Sequence, residues 1–458
     1  MKLNLRSNAF WGVAEVIVGA ACLFILYRLV VLHLGVGALG LWSIVMAMTS
    51  LVRIADPASV VGLGRFIALA HGRGEIQKMG DYFITALLSS LALYALLCAL
   101  AFWPLWKALS FSVAATDLER ARDLLPYAIA SFLLINFVGI VQGTLAGMQR
   151  SDQKSKLAIF CLILQLVLAL VLIPVHGLSG VAEAQIAQYC VGATIGYFLV
   201  LREMLGRLCI WPPFRWRLSA LREIWAFGIK LQALSIVSSL YEPLSKSAIS
   251  SIAGIEALGV YEMAQKVTAQ ARQLALGPAT VLMPAFAQIS VQAPGNLEQF
   301  YRQSLTIIFA LGGAIMTGVA LSSPLISFLW IGRIEPWFVI FACAMCVCWF
   351  ANIAGAPSSS LAVARGYLRW NFWGAMVTAA TAPLLAALVG QQFTPPAAGL
   401  GAILALGLGS LLSLVMNCRA AKLPAWVTVE DLHALGKFIV SRQWGKGRRL
   451  ALGHADLD

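Results

Sequence analysis

Two arginines at matching positions inside apolar stretches are the residues with the clearest chemical potential. Arg53 and Arg272 each lie within a hydrophobic run, and a constant offset of 219 in residue number relates them. A charged side chain at the centre of a bilayer costs roughly 3 kcal/mol on insertion scales, so an arginine kept there is a functional candidate. Because the planar guanidinium group binds two phosphate oxygens at once, this residue type favours a phosphate-bearing ligand.

Five further cations lie within apolar runs, and three of them are candidates for substrate binding. Arg28 and Lys246 fall within one residue of the same offset, and Lys266 lies in the same run as Arg272. Cations facing each other across a cleft would line it with positive charge. We therefore predict a substrate-binding set, which consists of Arg53, Arg272, Arg28, Lys246 and Lys266.

A competing interpretation is that carboxylates neutralise these cations within the protein. Residues three or four positions apart on a helix are neighbours and form ion pairs. The spacings that allow such pairs are Arg53–Asp56, Glu242–Lys246 and Glu262–Lys266. The sequence leaves both interpretations open.

Carboxylates within apolar runs are candidates for coupling transport to a proton or a sodium ion. Glu15 lies in the first run with no basic residue one helical turn away. Asp56 has no acidic counterpart in the second half of the chain, where Ala275 occupies the matching position. Glu242 is the third candidate for ion coupling.

A repeated stretch must position these charges. Residues 35–68 and 254–287, aligned at the constant offset of 219 without gaps, share 8 identities in 34 positions. The matches pair Gly35 with Gly254 and Gly40 with Gly259. Together with the paired arginines, they indicate a duplicated membrane module that carries a cation at the same place in each copy.

Composition places this module in a bilayer. The chain has 458 residues, of which 60% are hydrophobic and 12% charged, with a mean hydropathy of +0.83. Apolar runs of about 20 residues cross a bilayer as helices, because backbone groups in hydrocarbon must pair internally. The predicted spans are 9–32, 40–70, 82–103, 125–148, 157–175, 183–201, 224–252, 258–290, 303–330, 337–361, 371–391 and 397–418. We expect an all-α integral membrane protein with about 12 transmembrane helices in two parallel six-helix bundles around a central cleft.

The basic residues predict the orientation and the domain limits. With a cytoplasmic N-terminus, 22 Lys and Arg residues fall in inside segments and four in outside loops, which predicts that both termini are cytoplasmic. The first and seventh spans then start on the same side, so the repeat is parallel. The predicted domains are a six-helix bundle at 1–202, a cytoplasmic linker loop at 203–222, a second bundle at 223–418 and a basic cytoplasmic tail at 419–458.

The sequence lacks the residues that several other functions would require. The chain has no Gly-x-x-x-x-Gly-Lys-Ser/Thr phosphate loop, so we expect no built-in ATPase. Its cysteines and histidines are scattered, apart from Cys343, Cys346 and Cys348, and the face of one helix does not supply a tetrahedral metal site. The net charge of +13 lies mostly in short loops, which argues against nucleic acid as a partner. We expect no catalytic residue, no cofactor, no metal site and no enzyme activity.

Short motifs connect the chain to a known group of transporters. They are Asn8-x-x-Trp11-Gly12, Leu39-Gly40-Leu41-Trp42, the stretch from Gly143 to Gln149 before a basic loop, and Gly259-Val-Tyr261 followed by Ala264 and Lys266. Over residues 1–418 the chain resembles the Wzx-type polysaccharide and O-antigen flippases of the multidrug/oligosaccharidyl-lipid/polysaccharide exporter superfamily.

The resemblance implies a flippase of the inner membrane. Its expected substrate is undecaprenyl-diphosphate-linked oligosaccharide for lipopolysaccharide or exopolysaccharide, moved from the cytoplasmic to the periplasmic leaflet by alternating access. The expected partners are the lipid bilayer, a coupling proton or sodium ion and the polysaccharide polymerase machinery.

Three alternatives remain at this stage. An ion-coupled drug or organic-cation antiporter of the same superfamily fits poorly with a positively charged cleft. Lipid II flippases are similar but have fourteen spans, two more than are predicted here. A membrane O-antigen polymerase or ligase needs a large outside loop, which the chain lacks.

Overall fold

The computed structural model describes residues 5–52, 60–207, 212–277 and 294–428, together with residue 210 and isolated positions within 279–289 and 430–433. Two predicted site residues, Arg53 and Asp56, lie outside the described residues. Most of the predicted basic tail lies outside them as well.

The first half of the chain forms seven helices among the described residues. They are α1 (Leu5–Leu34), α2 (Val36–Ser50), α3 (Val60–Gly72), α4 (Ile76–Ser112), α5 (Ala115–Gly147), α6 (Ser151–His176) and α7 (Leu178–Leu205). Long apolar sequences with few backbone breaks dictate helices of this length, since each must satisfy its own backbone groups in hydrocarbon.

The second half contributes six more helices in the described part of the chain. They are α8 (Leu218–Leu276), α9 (Leu297–Ile331), α10 (Pro336–Ala354), α11 (Ala356–Ala364), α12 (Arg369–Gln392) and α13 (Ala398–Ala421). Single 3-10 turns at Pro294–Asn296 and Pro395–Ala397 precede α9 and α13.

The helices account for the twelve predicted spans. Within the described parts of the chain, nine segments are long and apolar enough to cross a membrane. The other three predicted spans correspond to α2 with α3 and to the two parts of α8, which separate at Gly254. The predicted span 337–361 is divided at Gly355, because Pro357 has no N–H to donate to the carbonyl of Ile353. The expected all-α membrane architecture is confirmed.

The backbone repeats at the predicted offset. Gly35 (φ 82°, ψ 170°) separates α1 from α2, and Gly254 (φ 80°, ψ 175°) separates the two parts of α8 in nearly the same conformation. A positive φ is accessible to glycine at little cost, because glycine has no Cβ. The paired glycines of the sequence are therefore paired chain reversals.

The two repeats cross at a second pair of glycines. A Cβ built on Gly40 would lie 1.9 Å from the carbonyl oxygen of Ile255, and one built on Gly259 would lie 2.2 Å from that of Val36. Val36 and Ile255 are themselves equivalent positions of the repeat, so the contact is reciprocal. The two halves meet here around an approximate twofold axis, and the backbones of α2 and α8 are in direct contact.

Three apolar cores of the described residues show how the halves are arranged. One core joins both halves and contains Tyr27, Ile44 and Leu258; it lies near Gly35 and Gly254, and we call this side the closed end. At the opposite end the described residues form two separate cores. One, around Phe83, is built mainly from the first half, with Phe214 of the linker and Ile224 at the start of α8, and the other, around Tyr301, lies within the second half. The helix bundles of the two halves thus share one core at the closed end and are divided between two cores at the other.

The connection between the halves is fastened to the first half. Asp81 of α4 is buried and accepts a hydrogen bond from the backbone N–H of Arg215 (2.9 Å) and pairs with Nε of Arg217 (2.6 Å). Phe214 packs on Gly80, where any side chain larger than hydrogen would collide with the ring. The connection runs from 206 to 217, shorter than the predicted linker at 203–222, because α7 and α8 both extend into it.

Candidate functional site

A chain of four alternating charges lies at the closed end. Lys246 Nζ is 2.5 Å from Glu242 Oε1 and 2.7 Å from Glu262 Oε2, and Lys266 Nζ is 3.4 Å from Glu262 Oε1. Lys246 is 2% exposed and Glu262 3%. Burying charges costs free energy unless each finds a partner, and here two acids balance two bases. Two of the three local pairs expected from the sequence lie within the described residues, and both are present; the Lys246–Glu262 pair joins them.

The first half reaches into this charge chain. Ser43 Oγ of α2 donates to Glu262 Oε2 (2.7 Å), and the hydroxyl of Tyr27 of α1 donates to Glu262 Oε1 (3.4 Å). The offset of the repeat relates Tyr27 to Lys246 and Ser43 to Glu262. Both equivalent pairs therefore meet at the buried carboxylate of Glu262. The first half contributes the two hydroxyl groups, and the second half contributes the charges.

Arg28 makes a second connection between the halves. Its Nη1 donates to the carbonyl oxygen of Trp330 (2.8 Å) at the end of α9. In return the indole N–H of Trp330 donates to the carbonyl oxygen of Phe24 (2.9 Å). Because the last carbonyls of a helix lack helical partners and carry partial negative charge, a cation there is stabilising. In this conformation Arg28 closes the gap between α1 and α9.

Arg272 is held differently from the other cations. Its Nε donates to Oδ1 of Asn352 (2.8 Å), and its guanidinium carbon lies 4.7 Å from the ring centre of Trp349. Among the described residues no carboxylate lies within ion-pair distance of it, and its two terminal nitrogens have no hydrogen-bond acceptor. An amide and an aromatic face orient the guanidinium group without neutralising it.

A cavity of about 250 Å³ lies between α1 and α6 of the first half and α8 of the second. Its polar lining comes from Glu15 of α1, Gln165 of α6, and Gln270 and Gln273 of α8; apolar residues and a cysteine of α1 and α6 complete it. Ser155 donates to Oε2 of Glu15 (2.6 Å). Both halves contribute to this cavity, and of its described lining residues only Glu15 carries a charge.

The predicted site residues thus divide into groups. Lys246, Lys266 and Glu242 belong to the charge chain, and Arg28 lies beside it at the closed end. Arg272 and Glu15 lie towards the opposite end. The remaining two, Arg53 and Asp56, lie outside the described residues and stay predictions.

Sequence reasoning missed several residues of these clusters. Glu262 entered only as a neutralising partner of Lys266, and Ser43, Tyr27 and Trp330 did not enter at all. The constant offset contained the missing signal, because it pairs Ser43 with Glu262 and Tyr27 with Lys246. The glutamines of the cavity carry no comparable signal in the sequence.

No group of three or more His, Cys, Asp or Glu side chains within the described ranges could hold a metal ion. Cys343, Cys346 and Cys348 lie on α10, as predicted. Cys343 Sγ is close to the Ala320 carbonyl oxygen (3.8 Å), a local contact with α9.

Comparison with solved structures defines the class of the fold. A multidrug resistance MATE family transporter of the MOP superfamily, in its inward-facing conformation, superposes with a TM-score of 0.70 at 15% identity, covering 89% of this chain and 98% of that chain. Lipid II flippase MurJ in its inward closed conformation gives 0.66 at 11% identity, covering 93% and 88%. A MOP superfamily transporter from Pyrococcus furiosus with a binding pocket of reverse polarity gives 0.64 at 16% identity, covering 89% and 94%. The chain shares the multi-pass membrane fold of these transporters.

Sequence comparison narrows this class to a family. A family model described as "Polysaccharide biosynthesis protein" matches residues 26–333, which is more than half of the chain. The chain belongs to this family. No curated protein matches it. The resemblance to polysaccharide flippases noted in the sequence is confirmed, and the proteins that share the fold are transporters or flippases rather than enzymes.

Proposed function

We propose that this protein moves undecaprenyl-diphosphate-linked oligosaccharide across the inner membrane, from the cytoplasmic to the periplasmic leaflet. The two halves would open alternately to either side. Membership of the polysaccharide biosynthesis family supports a sugar-linked substrate, and the transporter fold supports alternating access. In the predicted topology the closed end faces the periplasm and both termini are cytoplasmic.

The observation that carries the proposal is the arrangement of Arg272. No described residue occupies its terminal guanidinium nitrogens, while Asn352 and Trp349 fix the plane of the group. A planar fork of two free N–H donors matches two oxygens of a phosphate group. Because no described carboxylate neutralises this cation, a diphosphate would gain the full charge-assisted interaction there. Arg53 is proposed as its counterpart in the first half.

The cations at the closed end would act at a later stage of the cycle. Lys246 and Lys266 are paired with carboxylates, and Arg28 with a helix terminus, as long as the halves touch here. Opening this end separates Arg28 from Trp330 and removes the first-half donors from Glu262. These three cations would then face the opened cleft, where the diphosphate must leave. Glu15, Asp56 and Glu242 are proposed to take up a coupling proton or sodium ion during these changes.

A complementation experiment tests the assignment of Arg272. We expect Arg272→Ala, in a strain without its own flippase, to abolish surface polysaccharide at normal membrane abundance, and Arg272→Lys to restore part of it. Arg369→Ala is the matched control, because Arg369 also lies over a tryptophan ring, that of Trp370 (5.0 Å), but at the surface. Full activity of the Arg272→Ala variant, alone and combined with Arg53→Ala, would refute the phosphate role.

A second candidate function is favoured by Glu15. It is the single charged residue among the described residues that line the cavity, and a carboxylate there would suit an organic cation. An ion-coupled drug antiporter would then export cationic dyes. Efflux of a cationic dye from cells expressing the wild type, lost in the Glu15→Gln variant, would support this function over the flippase. A membrane polymerase or ligase has less support, because the proteins that share the fold are transporters or flippases.

A further inference from the structure

We propose that the cavity between α1, α6 and α8 recognises the sugar attached directly to the lipid diphosphate, through Gln165, Gln270, Gln273 and Glu15. This inference rests on the proposed function and assigns the two parts of the substrate to two different parts of the protein. Arg272 binds the diphosphate, and the cavity distinguishes one sugar from another.

The side chains that line the cavity provide the first argument for a sugar ligand. Gln165, Gln270 and Gln273 form no hydrogen bond with any described residue, so their amides are available to a ligand. Each amide both donates and accepts, as sugar hydroxyl groups do. Glu15 keeps one carboxylate oxygen bound to Ser155 and leaves the other without a described partner. Uncharged donors and acceptors beside one carboxylate suit a polar, neutral ligand.

The size of the cavity argues against a bare ion. Oxygen ligands lie about 2.0–2.6 Å from a bound Mg²⁺ or Ca²⁺, so an ion site is tight and leaves little free volume. About 250 Å³ is open here, which accommodates a sugar ring. The apolar side chains of α1 and α6 provide the surface against which the less polar face of a ring can pack.

The position of the cavity relative to Arg272 is the third argument, because one ligand could reach both. Gln270 and Gln273 are three residues apart and share one face of α8, as neighbours on a helix do. Arg272 lies between them in sequence and turns to another face, towards Asn352 of α10. Both groups thus lie at one height along α8, on neighbouring faces. In a sugar joined directly to a diphosphate, the hydroxyl groups of the ring and the phosphate oxygens are separated by a similarly short distance.

Both halves must contribute for the cavity to exist. Glu15 and Gln165 belong to the first half, and Gln270 and Gln273 to the second. A ligand that bonds to both sides therefore stabilises this conformation relative to one in which the halves have moved apart. Recognition of the sugar would thereby be linked to the conformational cycle.

Lipid binding to the full chain in nanodiscs tests the proposal. The probes are undecaprenyl diphosphate without sugar and the same lipid carrying one glucose, galactose, N-acetylglucosamine or N-acetylgalactosamine. We expect the wild type to bind at least one sugar-bearing lipid about tenfold more tightly than the bare diphosphate. The Gln270→Ala/Gln273→Ala variant should lose this preference and keep its affinity for the bare lipid. Arg272→Ala should weaken the binding of every probe.

The control is Gln391→Ala/Gln392→Ala, which removes two exposed amides from the end of α12 and should leave all affinities unchanged. Equal affinity of the wild type for all five lipids would overturn the sugar site and leave the flippase proposal standing. A glutamine variant that weakens the bare and sugar-bearing lipids alike would overturn it too. Sodium binding in the absence of lipid, abolished by the glutamine variant, would assign the cavity to an ion instead. If no lipid diphosphate binds, the proposed function itself fails.

Discussion

Ser43 and Glu262 occupy equivalent positions in the two halves of the chain and are joined by a hydrogen bond of 2.7 Å. A residue can touch its own counterpart in this way only near the axis that relates the two halves. This bond therefore marks where the halves meet, beside the reciprocal glycine crossing. The alternating access that we propose requires that contacts at this place break and reform.

Loss of this bond should open the closed end. Ser43→Ala removes a donor to a buried carboxylate, and hydrogen bonds to charged groups contribute about 1.5–3 kcal/mol. We expect the state that is open at this end to become at least tenfold more populated. Distances between spin labels at Phe111 and Ile334, both exposed (81% and 60%) and on different halves near this end, measure the change. Ser251→Ala, which removes an exposed hydroxyl, serves as control; an unchanged distance distribution in Ser43→Ala would contradict the role of this bond.

The glycine crossing should not tolerate a methyl group. Gly40→Ala and Gly259→Ala each place a Cβ far too close to a backbone oxygen on the other helix, which cannot move like a side chain. We expect each variant to separate α2 from α8 and lose the closed state, seen as longer distances between the same labels. Gly318→Ala of α9, where nothing lies within 4 Å of the new methyl, should behave like the wild type. Normal closure in Gly40→Ala would show that the contact is not required.

Removal of the central carboxylate should destabilise the protein. Glu262→Gln leaves Lys246 buried with Glu242 as its only remaining acid among the described residues. Removing one partner of a buried ion pair costs about 3–5 kcal/mol. Thermal unfolding in detergent should show a clear fall, partly reversed when Lys246→Met is added.

Glu298→Gln provides the comparison for that experiment. It breaks the exposed pair with Arg302 and should cost about 0–1 kcal/mol. Equal unfolding temperatures for Glu262→Gln and Glu298→Gln would refute a stabilising role of the charge chain.

Release of the linker should expose it to protease. Asp81→Asn removes the charge that holds Arg217 and weakens the acceptor for the backbone of Arg215. We expect trypsin to cleave after these arginines about tenfold faster, because cleavage requires the segment to leave its site. Asp152→Asn, which affects an exposed pair with Lys156, should not change the rate. Resistance of the Asp81→Asn variant would show that the other contacts of the linker, such as Phe214 on Gly80 and the backbone of Arg217 on Thr85, are sufficient to hold it.

Much of the fold follows from the sequence. Apolar runs of bilayer length can only be helices, so the spans and their number were accessible, and identical glycines at a constant offset marked the repeat. The separation of two predicted spans at Gly254 and the break within the predicted span 337–361 before Pro357 also had local signals in the sequence. Ion pairs four residues apart were accessible because a helix alone makes such residues neighbours.

The candidate site was only partly accessible. Arg272 was found because a cation in an apolar run is costly, and this reasoning does not depend on its partners. Asn352 and Trp349 lie on another helix, far along the chain from Arg272, and no sequence pattern connects them to it. The cavity glutamines are uncharged, so placing them in an apolar run does not incur the cost of burying a charge, and the sequence gives no signal for them.

The sequence by itself determined a duplicated, helical membrane protein with charges at repeated depths. Only the tertiary structure decided which charges meet. Lys246 and Glu262 are sixteen residues apart and would be separated by about 24 Å along a straight helix. They lie 2.7 Å apart because Gly254, at a positive φ, reverses the chain between them. The first half then supplies Ser43 and Tyr27 to the same carboxylate, since the twofold packing of the repeats, and not any local spacing, brings equivalent residues together.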